Sequence, residues 1–176
     1  TAAIEAAQAL IQEGRFLCLA EHPDFDEPDT GELDEVLIGP LEHHLQGQAW
    51  ESISSAMESA VAERTDAPQF VSRDLEARVA GWHRDRRADA HAAEAAYVRA
   101  LAHDTQNVDL LGALAQLQRR ARGRPLIDSL LRLSQATGGD LDLLREAAEV
   151  AGGVVVDRAL AKNIIERSLK IATERW

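Results

Sequence analysis

At 176 residues the chain is long enough for one ordinary domain, or for several helical repeats that share one core. Hydrophobic residues make up 45% and aromatics only 4%, with alanine dominating, which favours closely approaching helices over strands of branched and aromatic side chains. The net charge of −11 disfavours general nucleic-acid binding, which needs a basic surface.

The single cysteine, Cys18, has no second thiol for an internal disulfide or a CxxC site, so a reducing, cytoplasmic location is the expectation. No apolar run approaches the roughly 18 to 20 residues that span a bilayer, and no membrane partner is expected. The chain opens at Thr1 in mid-helical pattern and closes at Trp176 directly after one, which reads as a segment of a longer protein whose parent could be exported or anchored. The acidity is concentrated: Thr1 to Asp66 carries fifteen acids against two bases, and Ala67 to Trp176 fifteen against seventeen.

Taken in order, Thr1 to Glu13 places Ile4, Ala7, Leu10 and Ile11 on one helical stripe, and Gly14 stops it. A short helix over Arg15 to Ala20 follows. Residues 21–35, rich in Pro, Asp and Gly, read as an acidic surface loop. Helical spacing resumes over Leu33 to Gln46, interrupted near Gly39 and Pro40. The run Trp50, Ile53, Met57, Ala60 and Val61 then predicts a helix to about Thr65 that completes a hairpin. The first 66 residues therefore read as looser helical hairpins with an acidic insertion.

Pro68 suits the first turn of a new helix to Asp85, whose apolar positions are Phe70, Val71, Leu75, Val79 and Trp82. Ala90 to His103 reads as its antiparallel mate. Asn107 to Ala121 is the next helix, ended by Gly123. Pro125 starts another that runs to about Ala136 and is closed by Gly138 and Gly139. Asp140 is a good N-cap for Leu141 to Val150. Gly152 and Gly153 are read as the last turn before a final helix over Val155 to Glu174.

One spacing organises this second part. Ala93, Ala96, Tyr97 and Ala100 recur 34 residues on as Ile127, Leu130, Leu131 and Ser134, and again as Ala161, Ile164, Ile165 and Ser168. Small residues at this face let helices approach to roughly 8 to 10 Å, with Tyr97, Leu131 and Ile165 expected to fill the space between. A hairpin buries only one side of each helix, so stacking on its neighbour completes it.

A 34-residue helix-turn-helix period, with alanine followed four residues later by a large side chain, is similar to the tetratricopeptide repeat. In the best-matching unit, Glu76 to Asn107, the family's glycine is met by Gly81, its alanine by Ala93, its aromatic by Tyr97 and its next small residue by Ala100. Ala77 stands where the family prefers tryptophan, Arg84 where it prefers an aromatic and Thr105 where proline is usual. Units Val108 to Leu141 and Asp142 to Arg175 keep spacing and size. The texture looks like bacterial proteins with many degenerate repeats of this kind.

The resemblance implies an all-α fold, a right-handed superhelix of stacked antiparallel helical hairpins. Residues 67–176 would form three repeats in one continuous solenoid with 1–66. It also implies that the first helix of each pair lines a concave groove, bringing Arg78, Trp82 and Arg86 beside Gln116, Arg119 and Arg120. Guanidinium groups there would grip carboxylates, with Trp82 as an apolar or cation-π wall. A non-enzymatic protein-interaction scaffold for an acidic peptide or partner helix is the leading expectation, and self-association is compatible with it. The contrasting one is a regulatory or structural segment packed on another domain of a longer parent. RNA binding through Arg119 to Arg124 is a weaker third.

No cofactor or metal is expected. Asp24, Asp26 and Glu35 fit three positions of an EF-hand loop, but Pro28 sits at a ligand position and Asp29 replaces the required glycine. His43 and His44 point about 100° apart on a helix and cannot share a metal. His83-Arg84-Asp85 lacks the asparagine and the flanking motifs of a kinase catalytic loop.

Overall fold

The computed structural model describes residues 49–63 and 68–174. The expected elements before residue 49, the acidic loop 21–35, Cys18, Asp24, Asp26, Glu35 and the histidines at 22, 43 and 44 lie outside the described residues. Among those described, seven helices and no strand are present. They are α1 (Ala49–Glu63), α2 (Gln69–Asp85), α3 (Ala90–His103), α4 (Val108–Gln118), α5 (Arg124–Ala136), α6 (Leu141–Gly153) and α7 (Arg158–Glu174). The chain divides into two compact units, Thr1–Asp104 and Thr105–Trp176.

In the first unit α2 packs against both α1 and α3. The α2 stripe Val71, Leu75, Val79 and Trp82 is buried, as its helical spacing requires, and meets Trp50, Ile53 and Met57 buried on α1. From α3 come Ala93, Ala96, Tyr97 and Ala100, all buried. Gly81, expected from the resemblance to fill a glycine position, has no described atom within 4 Å of where a Cβ would stand, so close approach does not demand a glycine here.

In the second unit each helix packs on the next, α4 on α5, α5 on α6 and α6 on α7. Ala115, Leu126, Ile127, Leu130, Leu144, Ala147, Val150, Ala151, Ala161 and Ile164 make one buried cluster. Helix starts are set locally: Asn107 accepts from the Leu110 amide at 3.1 Å and Asp140 from the Asp142 amide at 2.9 Å. Gly138 and Gly139 adopt φ of +77° and +89°, the left-handed conformation that ends α5 at little steric cost.

The backbone carries the 34-residue interval in its own geometry. Among the described residues, the three non-glycine residues with positive φ are Ala88 (52°), Arg122 (47°) and Val156 (58°), each one step from the next. The helices that follow them start at Ala90, Arg124 and Arg158, at the same interval. Two steps apart, the turns are closed by matching hydrogen bonds. Arg86 and Arg87 N–H donate to the Trp82 carbonyl, as Val154 and Val155 N–H do to that of Val150. Asp89 N–H donates to His83, and Asp157 N–H to Ala151, both at 2.8 Å.

This turn corrects the predicted start of α7. The helix begins at Arg158, not Val155, because residues 154–157 form the turn and the Asp157 carboxylate caps the Leu160 amide at 2.9 Å. Gly152 and Gly153 accordingly belong to the end of α6. The residues expected to fill the repeating seam also differ among themselves. Tyr97 is 4% exposed, Leu131 is half-buried against the buried cluster of the second unit, and Ile165 is 49% exposed. The positions one residue earlier, Ala96, Leu130 and Ile164, point inward in all three helices. They lie about 100° around the helix from the expected fillers, so the buried face of each helix is centred nearer to them.

Candidate interaction surface

The six candidate groove residues divide three and three between the units. In the first, Trp82 is 3% exposed, so the tryptophan expected to wall a groove is a core side chain. Its ring lies 5.6 Å from that of Trp50, tilted at 54°. Arg86, exposed just beyond the end of α2, holds its guanidinium carbon 5.3 Å above the Trp50 ring. The cation-π contact therefore exists, on Trp50 rather than Trp82. Arg78 is half-buried on α2.

Behind this surface lies a polar hub that joins three helices. Glu58 of α1 accepts from Arg99 of α3 and sits 3.2 Å from Nε2 of His83 on α2. Arg99 Nε also donates to both carboxylate oxygens of Glu76, at 3.0 and 2.9 Å. Arg87 Nη1 donates to His83 Nδ1 at 2.7 Å. A guanidinium only donates, so Nδ1 is the acceptor and the ring proton sits on Nε2, aimed at Glu58. Burial pushes the Glu76 carboxyl above its ordinary range, with Arg99 opposing that push. The hub satisfies groups that would be costly to bury alone.

His83, Arg84 and Asp85 are used structurally as well. His83 is 2% exposed within the hub. Arg84 donates to Asp85 at 2.7 Å and to the Tyr97 hydroxyl at 2.8 Å.

In the second unit Arg119 presents a two-pronged grip. Nε donates to Glu146 Oε1 at 2.8 Å and Nη2 to Oε2 at 2.9 Å, joining α6 to the residue that ends α4. Its Nη1 donates to Gln116 Oε1 at 2.7 Å. The Arg119 hydrogen bond holds the Glu146 carboxyl below its usual range. Gln116 and Arg120 are exposed. Arg124 reaches Asp128 at 3.7 Å and Asp157 at 3.5 Å.

Glu146 and Glu58 were not among the residues singled out from sequence, and no motif marks them. A pocket of about 180 Å³ lies among Thr105, Gln106, Arg132, Gln135 and Ala136. That is below the size usual for a small-molecule site. Among the described residues no group of three or more His, Cys, Asp or Glu side chains could hold a metal ion, and no helix is long and apolar enough to cross a membrane. No protein-family model, curated protein or solved structure matches this chain.

Proposed function

We propose that the protein is a non-enzymatic interaction scaffold of tetratricopeptide type, its hairpins stacked in a right-handed superhelix, and that arginines at the ends of its first helices bind an acidic peptide or partner helix. The observation that carries this reading is the Arg119 grip on Glu146, with two parallel N–H···O contacts at 2.8 and 2.9 Å. It is a working example, within the chain, of how this face recognises a carboxylate on a helix. Arg86 and Arg120 occupy related exposed places after α2 and α4, and stacking on Trp50 holds the Arg86 guanidinium in place. Trp82 contributes from beneath, as the support on which Trp50 rests.

A fluorescein-labelled, glutamate-rich helical peptide titrated into the full chain tests the reading. Binding should weaken as salt is raised and should fall at least tenfold in Arg86→Glu/Arg120→Glu, two exposed changes whose helicity is checked by circular dichroism. Unchanged affinity in that variant would remove the arginine surface from the function.

A further inference from the structure

A difference in where two helices start opens a polar notch in the second unit. α2 starts at Gln69, which one 34-residue step carries to residue 103, yet α4 starts at Val108, five residues later. Val71 and Ser72, buried in the first turn of α2, therefore have Thr105 and Gln106 as counterparts, in the turn that precedes α4. Leu101, buried on α3, has Gln135 on α5. Three buried positions of the first hairpin are thus three exposed polar side chains in the second. With Arg132 and Ala136 they line the pocket of about 180 Å³.

The walls of this pocket select a ligand chemistry. Arg132 is held by one arm, Nη2 donating to the Thr105 carbonyl at 2.9 Å. Its Nε and Nη1 have no other partner among the described residues, so that edge of the fork is left to donate. The Thr105 hydroxyl and the side-chain amides of Gln106 and Gln135 add neutral donors around the same space. Arg132 is the one charged residue of the five in the lining. The nearest acid along the chain, Asp104, is not in the lining and accepts from Arg73 at 3.4 Å. A guanidinium edge ringed by neutral donors, with a single positive charge, suits a carboxylate, which is planar, singly charged and accepts through two oxygens. The volume suits a group the size of one acidic side chain rather than a larger ligand.

The fold does not demand these polar residues. In place of Arg132 and Gln135, the first hairpin carries Val98 and Leu101, and the third carries Glu166 and Leu169. Of the three matching positions only Arg132 is a cation, and the acid in the third hairpin would repel the same ligand.

We propose that the notch of Thr105, Gln106, Arg132 and Gln135 is a carboxylate-binding site, which takes either an acidic side chain or the terminal carboxylate of a peptide. It uses neither Arg86 nor Arg120 and stands without them.

The test is a proton–nitrogen correlation NMR titration of the full chain with three probes. N-acetylglutamate α-amide offers only a side-chain carboxylate, N-acetylglutamine only a terminal one, and N-acetylglutamine amide none. Saturable shifts of the Thr105 and Gln106 amides, the Arg132 Nε–H and the Gln135 side-chain signal are expected with at least one of the two carboxylates, and the one that binds identifies the source. The neutral amide should leave them unmoved. Affinity should fall at least tenfold in Arg132→Gln and in Gln135→Leu, the second introducing the residue that the third hairpin carries there. Both positions are exposed, and the remainder of each spectrum reports that the fold is kept. The proposal is overturned by the absence of saturable shifts, by equal shifts with the neutral amide, or by shifts confined to the surroundings of Arg86 and Arg120. Unchanged affinity in Arg132→Gln, or tighter binding of inorganic phosphate than of either carboxylate, overturns it as well.

Discussion

Arg119 and Glu146 meet fork to fork, both carboxylate oxygens accepting from one guanidinium at 2.8 and 2.9 Å. The pair fixes the end of α4 to the second turn of α6, helices that are not consecutive in the chain.

That contact predicts an acid-side loss of stability. Glu146 is held below its ordinary range, first by the Arg119 hydrogen bond, so its contribution is present above the unfolded-state value near 4.5 and disappears as pH falls through the lower folded value. Thermal melts of wild type and Arg119→Gln between pH 7 and pH 3 should therefore converge toward acid. Both partners are about a third or more exposed, so the neutral-pH difference should be modest, about 1 kcal/mol. A gap that stays constant with pH would show the pair contributes nothing.

Glu76 predicts the opposite slope. Its side chain is 6% exposed and burial raises its carboxyl, so the folded state favours the protonated form. Its stabilising contribution is complete below 4.5 and lost as pH climbs through the raised folded value. Relative to Glu76→Gln, wild type should be at its best in acid and lose ground toward neutrality. Melting curves in which Glu76→Gln becomes the weaker protein as pH rises would contradict this.

The uneven burial at the residues expected to fill the repeating face predicts a graded series. Leu130→Ala should cost about 2 to 5 kcal/mol, because a fully buried leucine leaves a cavity. Leu131→Ala should cost less, its side chain being half-buried. Ile165→Ala should fall within about 0.5 kcal/mol of wild type, as an exposed position does. Urea denaturation of the three variants checks the order.

Val156 predicts a stabilising change. A β-branched residue at φ 58° bears a left-handed penalty of about 1 to 2 kcal/mol, and its exposed side chain contributes little burial. Glycine removes that penalty against an unfolded-state cost of about 0.5 to 1 kcal/mol. Val156→Gly should raise the melting temperature by roughly 2 °C. Gly138→Ala, which forces a side chain into φ +77°, should lower it.

Much of the helical layout was legible because the punctuation is chemical. Asp140 caps α6, Pro125 stands in the first turn of α5, and Gly138 and Gly139 close it. The interval of 34 residues was legible from Ala93, Ile127 and Ala161. The turn before α7 was misread because its left-handed residue is valine, whose side chain advertises helix or strand and never a turn. Trp82 carried two signals, a place on the Val71, Leu75, Val79 stripe and a place on a family groove. The stripe governs, since Trp50 was available to bury it. The hub was not legible at all. Glu58, Glu76, His83 and Arg99 look like ordinary surface charges until three helices converge on them.

The contacts of α1 also set a limit on dissection. An excision at the acidic boundary between Asp66 and Ala67 would take away Trp50 and Glu58. It would uncover the Trp82 indole and leave His83 and Arg99 without the carboxylate that bridges them. The smallest portable fragment with α2 and α3 intact must therefore begin upstream of Ala49, whatever the change in charge suggests.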